Sequence, residues 1–101
     1  MTVLKVCYKS GVRFDHGYYM SKHLPMVGAI MGPHGVKRVE VVKIGPNPDG
    51  STPQYQVMFS AYFESSAALQ KAMAEPRMPE IMGDIPNYTD ITPVLEISEI
   101  K

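Results

Sequence analysis

Apolar and polar positions alternate loosely over residues 3–8 (VLKVCY), with Leu4, Val6 and Tyr8 on one side and Val3, Lys5 and Cys7 on the other. A period of two predicts a strand. The pattern then lengthens. After the turn "SGVRF", Asp15 stands where an N-cap carboxylate can accept from the free N–H groups of a first helical turn, so a helix is expected over residues 16–31. Pro25 interrupts it. Proline lacks the N–H and pushes the preceding residue, Leu24, away from α geometry, which predicts a kink or break after His23 and a second segment beginning at Pro25. Gly32-Pro33 ends the run. Residues 36–44 (VKRVEVVKI) read as a second strand, "GPNPDGSTP" as a loop, and residues 54–63 (QYQVMFSAYF) as a third strand. In that third strand Tyr55, Val57, Phe59, Ala61 and Phe63 oppose Gln56, Met58, Ser60 and Tyr62. A helix capped by Ser65 or Ser66 covers "ESSAALQKAMAE" and is limited by Pro76 and Pro79. "EIMGDI" can add a short helical turn, "PNYTD" is a loop, and residues 91–100 (ITPVLEISEI) form a last strand whose Pro93 suits an edge or a strand start.

The order is βαββαβ. It predicts an α+β, ferredoxin-like fold: a four-stranded antiparallel sheet with helices on one face. Two helices cover only one face, yet the second and third strands carry apolar groups on both, as in Val39 and Val41 against Val42 and Ile44. A partly apolar free face predicts burial against a second copy, hence a twofold homodimer.

Composition narrows the function. The 101 residues suit one domain, and the hydrophobic (45%) and charged (20%) fractions suit a soluble globule. Ten basic and ten acidic residues give no net charge and no basic patch, which speaks against nucleic acid and anionic membrane as partners. The first ten residues lack the marks of a signal peptide, and the single Cys7 fits a reducing, cytoplasmic setting. Eight methionines supply adaptable packing or a ligand-facing surface.

Chemistry concentrates in "FDHGYYMSKHLPMV". Asp15, Tyr19 and His23 are spaced i, i+4, i+8, and on a continuous helix they share one stripe, with Tyr18 and Met26 beside it. Histidine can give or take a proton near neutrality, and a tyrosine hydroxyl one turn away can orient that proton or bind a carbonyl oxygen. The structural alternative is a bonded boundary histidine beside tyrosines that bury their rings. A second polar cluster, "DIPNYTD" from Asp84 to Asp90, either shapes a turn or rims a cavity. His16, His34 and Cys7 show no metal-ligand spacing, and no nucleotide-binding or serine-hydrolase motif occurs, so no metal and no cofactor is expected.

The same stretch resembles the signature helix of the EthD family, approximately F-D-x-x-Y-Y-x-x-x-H-x-P-L-V. Phe14, Asp15, Tyr18, Tyr19, His23, Pro25 and Val27 match, with Met26 in place of leucine. The resemblance continues through "MGPHGVKRVEVV", "FSAYFESSAALQKAMAEP" and "GDIPNYTDITPVLEISEI", nearly the whole chain. It implies a dimeric α+β barrel with a cavity between each sheet and its own helices, lined by the helix histidine. The family is named for a role in ethyl tert-butyl ether degradation beside an oxygenase system. Relatives on the fold include cofactor-free cyclases, isomerases, substrate-activated monooxygenases and haem-degrading proteins.

On that basis His23 and Tyr19 are the expected catalytic pair, with His23 moving a proton α to a carbonyl and Tyr19 or Tyr62 polarising the oxygen. Tyr18, Met20, Met58, Tyr62 and Asp84 are the expected substrate contacts. The substrate would be a compact aromatic, lactone or ketone. Two alternatives stand beside this one: a non-catalytic dimer that binds a ligand or serves an oxygenase system, and a haem-binding protein with His23 as axial ligand.

Overall fold

The computed structural model of the protein describes residues 1–100. Strand β1 (Thr2–Lys9) leads into a helical run made of α1 (His16–Tyr18), a π-helical turn (Tyr19–His23) and α2 (Leu24–Met31). Then follow β2 (Val36–Lys43), β3 (Tyr55–Phe63), α3 (Ser66–Met73), α4 (Met78–Asp84), a 3-10 turn (Ile85–Asn87) and β4 (Val94–Glu99). The sheet order is β2-β3-β1-β4 with every neighbouring pair antiparallel. This is the ferredoxin-like α+β arrangement.

The register explains the layering. Leu4, Val6 and Tyr8 sit opposite Ala61, Phe59 and Val57, so the apolar sets of the two central strands share one face. The helices cover that face, and Leu4, Phe59, Ala61 and Phe63 are buried there with Val27, Ile30 and Leu69. β1 and β3 take the centre because both bury most of their positions, whereas β2 and β4 stay largely exposed at the edges. Gly35, at φ +85°, turns the chain into β2 through a left-handed conformation that side chains rarely adopt. Among the described residues no helix is long and apolar enough to cross a membrane.

Two expectations change. The expected second segment is present, beginning at Leu24 rather than Pro25, but no break precedes it: Leu24 keeps helical angles (φ −62°, ψ −41°), and the run stays helical through Pro25. A π turn takes up the difficulty. The Leu24 N–H reaches back five residues to the Tyr19 carbonyl, so the turn before Pro25 is widened and its ring is accommodated without leaving the helix. The last strand begins at Val94 rather than at residue 91. Pro93 offers no ladder donor, and the Ile91 N–H is taken by the Thr89 hydroxyl at 3.2 Å, so Ile91 packs into the core instead.

The uncovered sheet face is mixed. Val42 and Met58 lie on it, but so do Arg38, Glu40 and Tyr62, with the Tyr62 hydroxyl donating to Glu40 at 2.6 Å and the Arg38 guanidinium 4.2 Å above the Tyr62 ring.

Candidate functional site

Between the sheet and its helices lies a cavity of about 130 Å³. Leu4, Val6 and Phe59 form its floor, and Leu24, Val27 and Ile81 its roof. Among the residues lining it only Tyr8, Tyr19, His23 and Thr92 carry polar side chains. The space is comparable to an apolar cavity of about 150 Å³ that stays dry and accepts benzene. A ligand of this cavity therefore has an apolar body about one ring in size and a single polar end.

His23 stands on the π turn and is 4% exposed. Its Nδ1 lies 2.9 Å from Asp84 Oδ2. A carboxylate only accepts, so Nδ1 carries the hydrogen and Nε2 presents a lone pair. Asp84 is held in turn: its Oδ1 accepts from the Tyr18 hydroxyl at 2.6 Å and from the Asn87 amide at 2.9 Å. Both elements are local products of sequence. Asp15 starts the helix by accepting from the Tyr18 N–H at 3.0 Å, and Pro86 sits in the first turn of the 3-10 segment that brings the Asn87 amide back to Asp84.

On the other side of the ring, Tyr88 places its hydroxyl 3.4 Å from His23 Nε2 and 2.9 Å from the Tyr8 hydroxyl. The Tyr19 ring stacks on His23 at 5.5 Å between centroids and 18° between planes. Tyr8, Phe14, Tyr19 and Tyr88 meet edge to face or tilted, at 5.0–6.1 Å. This aromatic box fixes the imidazole plane and excludes water.

Burial dominates the electrostatics. It lowers the His23 pKa from its ordinary 6.5, against the pull of Asp84 in the other direction, so the ring is neutral at pH 7. Burial alone would raise Asp84, but the hydrogen bonds from Tyr18, Asn87 and His23 together hold it below its ordinary 3.8. Burial also raises Tyr8, Tyr19 and Tyr88, so all three hydroxyls keep their protons and can donate. Between the folded-state His23 midpoint and 6.5, the unfolded chain binds more protons than the folded one. Stability therefore falls as pH drops below 6.5. Asp84 adds a further loss as pH falls from 3.8 through its depressed midpoint. Imidazole carbon-proton resonances of His23, followed against pH, should show a midpoint below 6.5. Asp84→Asn should move it lower still, because the charge that favours imidazolium is gone. A midpoint above 6.5 would contradict this picture.

The structure brings His23, Tyr19, Tyr18 and Asp84 together. Tyr18 reaches the site through Asp84 rather than by lining the cavity. Met20 lies exposed on the far side of the helix. Met58 and Tyr62 lie on the uncovered sheet face, because residues on β3 alternate and Phe59 takes the cavity side. A ligand of this cavity meets none of these three, so Tyr62 does not serve as its carbonyl donor. Tyr8 and Tyr88 are the residues that sequence reasoning passed over. Tyr8 shares the β1 face of Leu4 and Val6, and Tyr88 was hidden in a segment whose polar composition marks only a loop. Among the described residues no three His, Cys, Asp or Glu side chains gather as a metal site. The site does not suit haem, because the macrocycle is far larger than the cavity.

A sequence model of the EthD domain matches residues 12–92, which include His23, Asp84 and Tyr88. The chain belongs to the EthD family. An EthD-like protein from Ralstonia eutropha JMP134 is 39% identical, with a TM-score of 0.85 over 97% of this chain and 89% of its own. An ethyl tert-butyl ether degradation (EthD) family protein from Bacillus halodurans C-125 is 23% identical, with a TM-score of 0.80 over 100% of this chain and 99% of its own. A protein from Arabidopsis thaliana, 14% identical over 99% of this chain and 94% of its own, shares the fold at a TM-score of 0.70. Among curated proteins none matches. In this EthD protein the β1 tyrosine, Tyr8, falls outside the matched segment but completes the hydroxyl chain to His23.

Proposed function

We propose that this EthD protein is a cofactor-independent acid/base enzyme acting on a small, mostly apolar ketone or lactone. The observation that carries this reading is the buried His23, held by Asp84 at one end of a mostly apolar cavity. His23 Nε2 takes a proton from the carbon α to the carbonyl. The C–H electron pair moves into the enolate, whose oxygen accepts from Tyr19 or Tyr8, and imidazolium beside Asp84 is stabilised by the carboxylate. Return of the proton, to the same carbon or another, completes an isomerisation or sets up ring closure, and no co-reactant is needed.

The test is solvent exchange at the α-carbon of 4-methylcyclohexanone in D₂O, followed by NMR. Protein-dependent exchange supports the enzymatic reading. Saturable binding without exchange supports a ligand-binding or accessory protein instead. That second reading is favoured by one observation, the Tyr88 hydroxyl already beside Nε2.

The protein is further proposed to act as a homodimer paired through the uncovered sheet face, where Val42 is half exposed and Met58 half-buried. Sedimentation at micromolar concentration should give twice the chain mass, and a stable monomer would remove this part of the proposal.

A further inference from the structure

The cavity is open toward β4, and the opening is apolar. Met73 at the end of α3 (38% exposed), Met82 on α4 (50%) and Leu95 on β4 (47%) form its rim. A second concavity begins at the same Met73 and continues over Leu69 and Ile97, which is 65% exposed. Leu95 and Ile97 pair with Val6 and Leu4, so both side chains stand on the cavity side of the sheet. The helices do not reach over this edge strand. The two concavities thus adjoin at Met73, an enclosed end at His23 on one side and an open, mostly apolar groove on the other, with Leu95 and Ile97 of β4 bordering the first and the second. Two large aliphatic side chains on the same face of an edge strand, left bare beside a cavity, mark a ligand groove better than they mark a solvated edge.

We infer that the ligand carries an unbranched alkyl tail, and that the tail leaves the cavity past Met73 and lies in the groove over Leu95 and Ile97. This rests on the reading of the cavity as the ligand site. Three arguments favour a tail over a second copy of the chain. The surface is concave and shares Met73 with the lining of the cavity. Methionines at the collar adapt to a flexible chain. The sheet-to-sheet pairing proposed above uses the opposite face, that of Val42 and Met58, and leaves Leu95 and Ile97 uncovered. The ligand class is thus a ring or short ketone head bearing an alkyl chain. The groove spans two residues of strand from Leu95 to Ile97, about 7 Å.

The experiment is a homologous series of 4-alkylcyclohexanones, from methyl to octyl, titrated calorimetrically into the intact protein and into Ile97→Glu. Affinity should rise about fourfold per methylene until the groove is filled, then level off. In Ile97→Glu the rise should flatten, because the carboxylate makes the groove wet. Sedimentation of both proteins accompanies the titrations. If the methyl homologue binds but chain length brings no gain, the tail is overturned while the head site stands. If no homologue binds, the ligand-site reading fails as well. If Ile97→Glu changes the oligomeric state and leaves the chain-length dependence intact, the surface is an interface and the inference is overturned.

Discussion

His23→Gln should lower protein-dependent α-proton exchange by about 10²–10⁴-fold, the range that a positioned general base contributes. Glutamine is the sharper substitution than alanine. Its amide can still donate to Asp84 and fill part of the space beside Tyr19, but it cannot accept a proton near neutral pH. A thermal melt of the variant should stay close to that of the parent. The exchange rate should also follow the neutral form of His23 in the parent, rising with pH through a midpoint below 6.5 and then levelling. Full exchange activity in His23→Gln would remove the catalytic reading and leave a protein that only binds.

Asp84→Ala should be the most damaging single change to the fold of the site. Three donors converge on this carboxylate, from His23, Tyr18 and Asn87. Deleting it leaves the buried His23 donor without a partner, and bonds to a charged acceptor are each worth about 1.5–3 kcal/mol. A loss of roughly 3 kcal/mol follows, after allowing for the partial exposure of Tyr18 and Asn87. In a domain of this size that lowers Tm by more than about 10 °C. Asp84→Asn separates stability from chemistry. It still accepts from the Tyr18 hydroxyl, but its NH₂ can face His23 Nδ1 and force the hydrogen onto Nε2. The protein should then fold, with exchange down by about 10²-fold or more. An Asp84→Ala protein that melts like the parent would mean that these hydrogen bonds do not form in solution.

The legible and illegible parts of the sequence divide along physical lines. Strand β3 could be read to within one residue, because period-two alternation in QYQVMFSAYF is a local consequence of the pleat. The helix cap at Asp15 was equally local, a side chain reaching its own backbone three residues on. Pro25 was visible, but its consequence was not. Whether a proline breaks a helix or is absorbed by a π turn depends on what packs around it, and here Tyr19 and His23 are locked into the aromatic box. Met20, Met58 and Tyr62 show the same limit from another side. Their residue types fit a ligand surface, but a sheet face or helix face becomes a cavity wall only when another layer covers it.

Asp84 marks the boundary. Its segment could be named as a second polar cluster, but its partners His23 and Tyr18 lie 61 and 66 residues away. Tyr8 and Tyr88 are 80 residues apart, yet their hydroxyls meet at 2.9 Å. The sequence by itself determined the element order, the α+β class and the family, and it singled out His23 as a candidate, because these follow from periodicity, capping and a motif within one stretch of chain. Only the tertiary structure decided which carboxylate orients that histidine, which tyrosines surround it, and that Leu95 of β4 borders the cavity. Those facts arise where distant segments converge, and no local pattern records which segments will meet.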